Sequence, residues 1–490
     1  MVTEQGKNQK RLEAKSADYE AMVADWLDVA DFLSGQRAVI NAGERYLPKY
    51  PDETDEEYAY RLQVAKFTNI YRDNIEGLAA KPFEQPVAFE EEKNVDPRYV
   101  EFAEDVDGSG RDLTSIAKEF MFNSIAYSLD FLFVDMPKVA TLPGVVRTVA
   151  QDKNEGVRPL WSRIRALNVY ECVTKIVKGQ EWITYIRFFE PAKAGTPNRF
   201  RELIQEGNSA KFIIWQWNET AKDYLVFEEG LIAIGRIPIV PFMTGSRDGR
   251  SFVSYPALQD AKEIQKVLYR AESNLEVTKA FTAYPMMVGQ GVTPEYVGEG
   301  PNKRIKRIIR GPGIALYAPF TGQGAATDWK YIEPAGSSLT FLKEDVKDIK
   351  QDLRELGKQP LTVSSGNLTV ITTAVAAGKS KSACKGWAQA ESNALNMAWY
   401  FTALWFQDKA GAPKCRVFDE FDEFINGAND MNSLIQMNNN SKISDETLWD
   451  EAKRRGTLSP NFDPEEEKKR LLAQVPNSDG MNNPETNPPM

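Results

Sequence analysis

The stretch SSLTFLKEDVKDIKQDLRELGKQP, residues 337–360, carries one narrow apolar stripe. Leu339, Leu342, Val346, Ile349, Leu353 and Leu356 recur at steps of 3, 4, 3, 4 and 3 residues. That rhythm belongs to a helix that lays a single seam on another helix. Gly357 and Pro360 stop it, one by freeing the backbone and the other by lacking an N–H. A partner lies upstream. In ALQDAKEIQKVLYRAESNLEVTKA, residues 257–280, one stripe holds Leu258, Ala261, Ile264, Leu268, Ala271 and Leu275. At 1.5 Å per residue this helix is roughly 36 Å long. Between the two, a Gly- and Pro-rich stretch offers short strands near residues 305–309, 314–317 and 329–332. Two amphipathic helices thus bracket a small β module.

Outward from this unit, the N-terminal side begins with a polar stretch, residues 1–9, expected to be loose. Tyr19, Met22, Val23, Trp26, Ala30 and Leu33 then fall at helical spacing. In YLPKYPDETDEEYAYRLQVAKF, residues 46–67, two prolines hold an extended arm, and Thr54 or Asp55 can cap the acidic first turn of a second helix. Residues 120–129 read as helix and 131–134 as a buried strand. The middle is rich in aromatic and β-branched residues: WITYIRFF (182–189), KFIIWQW (211–217) and YLVF (224–227), with Asn218-Glu219 in a hairpin connection. RIPIVPF, residues 236–242, is extended because its prolines fix φ and remove donors.

On the C-terminal side, residues 382–407 are Ala- and Trp-rich and read as helix, and RVFDEF (416–421) alternates like a strand. Further helices begin at Ser444 and at Asp463, where Pro464 and Glu466 complete a start signal. Residues 476–490, PNSDGMNNPETNPPM, lack the apolar content of a core and are expected to be disordered.

Composition narrows the chemistry. The chain has 490 residues, 42% of them hydrophobic and 27% charged, with a formal net charge of −10. Such a balance suits a soluble protein that buries a large core and argues against unspecific nucleic-acid or anionic-membrane binding. No histidine is present, which removes His-based nucleophile systems and His-ligated metals. Cys172, Cys384 and Cys415 are far apart and form no C-x-x-C pair. Free thiols of a cytoplasmically made protein are the expectation. The first fifteen residues lack the apolar run of a secretory signal, and no stretch is apolar enough to span a bilayer.

Five stretches look like chemistry. Gly378, Lys379 and Ser380 spell the end of a phosphate-binding loop, but the position of its first glycine is Thr373, and a β-branched residue disfavours the curl that aims several N–H groups at one phosphate. In DVDGSGRDLTSI, Asp105, Asp107, Ser109 and Gly110 match a calcium loop, yet the last ligand position is Ile116, so a turn leading into a helix is expected. DEFDEF, 419–424, reads as a solvated strand face rather than a metal site. KRIKRIIR, 303–310, alternates charge and isoleucine: Lys303, Arg304, Lys306, Arg307 and Arg310 either meet phosphates or an acidic partner, or guard an edge strand. Finally, QPLTVSSGNLTVITTAVAAG, 359–378, has no charge at all. A plain loop satisfies that composition, and so does a segment that touches DNA and lets it pass.

Taken as a series, the elements from about Tyr19 to Leu472 resemble the portal proteins of tailed bacteriophages, the head-to-tail connector rings through which genomes are packaged and ejected. YLPKYPDETDEEYAYRLQVAKFTN (46–69) looks like the N-terminal signature of one portal branch, and DGSGRDLTSIAKEFMFNSIAYSLDFLFVDMP (107–137) is similar to its G-x-S, helix and VD-x-P segment. YPALQDAKEIQKVLYRAESNLEVTKAFTAYPMMVGQG (255–291) resembles a first stem helix and its exit, and ISDETLWDEAKRRGTLSPNFDPEEEKKRLL (443–472) a crown-side ending. Two departures stand out. The family commonly has a histidine in the first stem region, and GNLTVITTAVAAG is longer than the usual G-N-x-S-G before the wing helix.

The resemblance implies an α+β portal-type fold: a mixed wing (10–255), stem helix 1 (256–284), a small β-containing clip (285–336), stem helix 2 (337–358), a tunnel loop (359–377), a wing helix and strand (378–428) and a helical crown (429–475). It also implies site roles. Thr362, Ser364, Ser365, Gly366, Asn367, Thr369, Thr372 and Thr373 would line a DNA channel, and Leu339, Leu342, Val346, Ile349, Leu353 and Leu356 would pack the stem. The basic cluster 303–310 would meet a partner or DNA. The implied function is a dodecameric ring at the capsid vertex of a virion, passing double-stranded DNA and docking the terminase large subunit, then a head–tail adaptor or tail proteins, beside major capsid protein and scaffold. No membrane, catalysis, cofactor or metal is implied. The rival readings are a nucleotide-dependent assembly or DNA-processing enzyme using Lys379, and a single-copy scaffold.

Overall fold

Strand Leu129–Asp135 is buried at almost every position because both of its faces are covered. In the computed structural model of the chain, the described residues are 6–91, 94–137, 155–193, 195–249, 251–282, 286–290, 296–300, 303–305, 315–318, 328–332, 337–357, 370–408, 410–419, 427–454, 457–458 and 462–474. They form an α+β fold. Leu129–Asp135 is the middle of a three-stranded antiparallel sheet, flanked by Leu160–Ile164 and Ile239–Met243. Pro241 sits in the outer strand Ile239–Met243, where a missing N–H costs no ladder bond.

One face of this sheet, through Leu129, Phe131 and Phe133, meets Ile183, Ile186, Phe188 and Leu203 of a five-stranded antiparallel meander. The meander strands are Val169–Val177, Gln180–Glu190, Arg199–Glu206, Ser209–Asn218 and Asp223–Ile232, paired in sequence order. They contain the three aromatic runs expected to be strands, and Asn218 caps the expected connection by accepting N–H bonds from Thr220 and Ala221. The other face of the small sheet is covered by helices Leu113–Tyr127 and Val370–Trp405. There Trp161 and Trp399 meet edge-on at 5.0 Å, and Trp161 Nε1 donates to Thr402 Oγ1 at 2.9 Å. Each large ring buried in this way contributes roughly 1.5–3 kcal/mol.

Residues 7–9 correct an expectation. They begin helix Lys7–Glu13, which docks on the free face of the meander: Leu12 is buried with Phe200 and Tyr224, and Arg11 reaches the buried Glu202 at 2.7 Å. The polar sequence hides this because one leucine, one ion pair and hydrogen bonds from Asn8 and Gln9 to Asp223 and Tyr224 do the anchoring. Helix Ala17–Ser34 follows, then Gln36–Asn41, Asp55–Val64 and Ile70–Ala80. Thr54 caps Asp55–Val64 in a reciprocal box with Glu57.

The expected strand 416–421 is shorter and placed differently. Among its described residues pairing is limited to Cys415–Arg416, antiparallel to Ala88–Phe89. Asp419 is buried rather than solvated, accepting from Gln389 Nε2 at 2.9 Å and from Arg416; the rest of DEFDEF lies outside the described residues. Residues 421–490 are a separate unit. It holds helices Gly427–Asn439, Asp445–Arg454 and Pro464–Gln474, with Trp449 and Phe462 in edge-to-face contact at 5.9 Å. Asp463 caps the last helix, accepting from the amides of Glu465 and Glu466. Residues 476–490 lie outside the described set. No helix among the described residues is long and apolar enough to cross a membrane.

Candidate functional site

The helix–β–helix unit read from the sequence is present. Helix Gln259–Thr282 packs along helix Ser337–Leu356. The first leads to strand Met286–Gln290, the middle of a three-stranded sheet, and strand Asp328–Ile332 leads back into the second. Met286 pairs with Ile332 in antiparallel register, and Ala315–Ala318 lies parallel on the other side. The helices therefore run antiparallel, and Lys350 Nζ reaches Glu272 Oε1 between them at 2.8 Å.

The seam is buried unevenly. Val346 and Leu353 are buried, as are Leu258, Ala261, Leu268, Ala271 and Leu275 of the other helix. Leu339, Leu342 and Ile349 are half-buried. Leu356 is 38% exposed, and Phe341, off the stripe, is 68% exposed. So the six-residue stripe is only partly covered within one copy.

Polar side chains tie the pair to the body. Glu272 is buried and accepts from Thr68 N at 3.0 Å and Thr68 Oγ1 at 2.6 Å, besides Lys350. Gln265, fully buried, accepts from Tyr71 N at 3.0 Å and donates to Thr68 O at 2.9 Å. Arg270 Nε donates to Tyr46 O at 2.8 Å. Asp25, Asp28 and Glu263 come close enough to hold a cation, but Lys262 and Lys266 stand among them, Lys266 Nζ at 2.6 Å from Asp28 and Lys262 paired with Asp25. Burial pushes the Asp28 carboxyl up, yet Lys266, Arg45 and Tyr46 outweigh it and hold it below the usual range. A carboxylate trio already neutralised by ammonium groups has little use for a metal.

At the end of the second helix, Asn74 Nδ2 donates to Leu353 O at 2.9 Å and Gly357 N to the same carbonyl at 3.1 Å. Beyond it, Thr362, Ser364, Ser365, Gly366, Asn367 and Thr369 lie outside the described residues. Thr372 and Thr373 do not belong to a loop: helix Val370–Trp405 already contains them. The loop expected over 359–377 thus ends before Val370. Gly378, Lys379 and Ser380 sit inside the same helix, where backbone N–H groups bond to carbonyls four residues back and are not free to cradle a phosphate.

Of the basic cluster, Lys303 lies over the Tyr296 ring at 4.6 Å, and Arg304 is in a two-stranded ladder opposite Val297. Lys306, Arg307 and Arg310 lie outside the described residues. The calcium-like loop is a turn. Asp105 Oδ1 accepts from the amides of Gly108 and Gly110, and Asp107 from Ser109 and Arg111. Asp112 then caps helix Leu113–Tyr127.

The clamp of Thr68, Asn74, Gln265 and Glu272 was not singled out from the sequence. One signal was available: Gln265 and Glu272 are seven residues apart, two helical turns along one side of the stripe, where an exposed face would not need them.

Comparison with known proteins gives three results. A model for a domain of unknown function, DUF4055, matches residues 264–406. No curated protein sequence matches. Among solved structures, the chain is similar to a chain in the neck of an empty gene transfer agent (GTA) particle with C6 symmetry, at 11% identity and TM-score 0.42, covering 83% of this chain and 90% of that one. It is also similar to a chain in the virion of a native GTA particle, at 10% identity and TM-score 0.37, covering 89% and 98%.

Proposed function

We propose that this chain is a portal-type connector: copies of it close into a ring at a capsid vertex, and double-stranded DNA enters and leaves through the hole. The observation that supports the reading best is the antiparallel helix pair itself. It is tied to an α+β body by buried polar contacts, joined through a small sheet, and followed after residues 358–369 by the 36-residue helix Val370–Trp405. That is the order the sequence resemblance implies for stem, clip, stem, tunnel loop and wing helix. The uneven seam fits too, since Phe341 and Leu356 would find cover on a neighbouring copy.

In this reading the chain is structural. ATP hydrolysis belongs to a partner motor, the terminase large subunit, which docks on the small sheet before a head–tail adaptor or tail protein replaces it. Major capsid protein and scaffold meet the α+β body, and the mature location is the virion. The rival enzyme reading loses its footing in the helical backbone at residues 378–380. Native mass spectrometry and negative-stain images of the purified full-length chain test the proposal. A ring with an open centre is expected, and a single-copy particle under all assembly conditions overturns it.

A further inference from the structure

Among the described residues, both outer strands of the meander are open along only part of their length. Strand Val169–Val177 is flanked at its start, where Ser16 N donates to Tyr170 O at 3.0 Å. Strand Asp223–Ile232 is also flanked at its start, where Asn8 Nδ2 donates to Tyr224 O at 2.9 Å. Past those points each edge shows apolar side chains to solvent: Val173, Ile176 and Val177 on one, Phe227 and Leu231 on the other, with Leu231 74% exposed. An open apolar edge is a template for another strand.

The two edges differ in charge. Exposed Lys175 lies on the first and exposed Glu229 on the second. Thr174 pairs with the core residue Ile183, and Ile232 is itself in the core. By strand alternation Lys175, Val177, Glu229 and Leu231 therefore all take the opposite face. The meander has four antiparallel steps, so its first and last strands run in the same direction.

We propose that strand Asp223–Ile232 of one copy pairs in parallel with strand Val169–Val177 of the next, with Glu229 beside Lys175 and Leu231 beside Val177. This rests on the ring reading and gives it a second contact besides the helix pair. Pairing of like edges would set Lys175 against Lys175 or Glu229 against Glu229, so charge selects the head-to-tail arrangement, which closes into rings rather than two-fold dimers. The geometry is reasonable. Across the sheet, Glu229 is level with Ile213, Glu202, Arg187 and Glu171. Bringing it level with Lys175 offsets adjacent sheets by four residues, about 13 Å at 3.3 Å per residue. Over a five-stranded width of about 24 Å that is a strand tilt of roughly 30°, near the range of closed sheets. A groove of about 560 Å³, lined by Cys172 to Ile176 and walled by Asp18 and Phe252, runs beside the receiving edge.

The test is the full-length double variant Lys175→Cys/Glu229→Cys, oxidised with copper–phenanthroline and run on a denaturing gel beside its native mass. The parent, which keeps its three cysteines, sets the background. The expected result is a ladder of covalent multimers from the double variant, with each single variant stopping at background. Rings by native mass without a ladder overturn the edge pairing and leave the ring reading intact. Single copies without a ladder overturn both. Strong dimers from one single variant overturn the head-to-tail polarity. As a second measure, Lys175→Glu or Glu229→Lys alone should weaken assembly several-fold, and the two together should restore it; failure to restore also overturns the pairing.

Discussion

A methyl group on Gly357 would lie 2.0 Å from Nδ2 of Asn74. The helix Ser337–Leu356 therefore ends against a side chain that leaves no room for a Cβ, and the same Asn74 amide holds the Leu353 carbonyl. Gly357 needs no unusual backbone angle; it needs space. Gly357→Ala should force Asn74 aside, lose that hydrogen bond and cost about 1–3 kcal/mol. Differential scanning calorimetry checks it. Because the clash is with one side chain, Asn74→Ala combined with Gly357→Ala should cost less than the sum of the two single changes.

Glu272 sits where the helix pair meets the body, holding Thr68 and Lys350 at once. Glu272→Ala leaves a backbone N–H, a hydroxyl and an ammonium short of a partner, and each unsatisfied buried group costs about 1–3 kcal/mol. Lys350 is 27% exposed and can turn to water, so its share is the smallest. The expected outcome is a clear loss of stability with Glu272→Ala and a lesser one with Lys350→Met, read by thermal unfolding. Equal losses would mean that the interhelical ion pair, not the Thr68 contacts, does the holding.

Much of this is legible in the sequence, and the reasons are local. Helix Ser337–Leu356 declared itself by a seam of 3 and 4 steps, and Thr54 and Asp463 by capping chemistry that acts within one turn. The misses depend on partners far away in the chain. Lys7–Glu13 is helical because Leu12 and Arg11 find Phe200 and Glu202 nearly two hundred residues on. The start of helix Val370–Trp405 is hidden by a Thr-, Val- and Gly-containing run whose intrinsic preference for helix is weak. Gly378 looked like a boundary, yet a glycine inside a helix costs only about 1 kcal/mol.

If residues 359–369 face passing DNA, charge there should matter. Ser364→Lys with Ser365→Lys should slow packaging in a motor-driven assay and make the rate depend on salt, since each lysine adds a phosphate contact. An unchanged rate would count against that contact. Lys379→Ala, within the helix, should leave ATP binding of the purified chain unchanged by calorimetry.

The Asp107 turn sets an acid limit. Burial acts to raise its carboxyl, but hydrogen bonds from Ser109 and Arg111 dominate and hold it well below the usual carboxylate range. A depressed value in the fold adds stability that is present above about pH 4, the unfolded value, and is lost as pH falls from there. Asp107→Asn should lower stability at pH 7 and flatten the loss below pH 4. Unfolding midpoints measured from pH 3 to pH 7 check both.

Glu391 shows the opposite sign. It lies on helix Val370–Trp405, fully buried, and neither carboxyl oxygen has a hydrogen-bond partner among the described residues. Burial alone pushes its carboxyl well above the ordinary range. The folded chain therefore keeps a proton that the unfolded chain gives up above about pH 4.3. Stability from this group is fully present below that pH and falls as pH rises toward the folded value, by about 1.4 kcal/mol per pH unit. Glu391→Gln, which mimics the protonated side chain, should match the parent near pH 4 and exceed it at pH 7, with the slope between them removed. A parent that gains stability between pH 5 and pH 7 relative to the Gln variant would mean that Glu391 is ionised and paired in the folded protein.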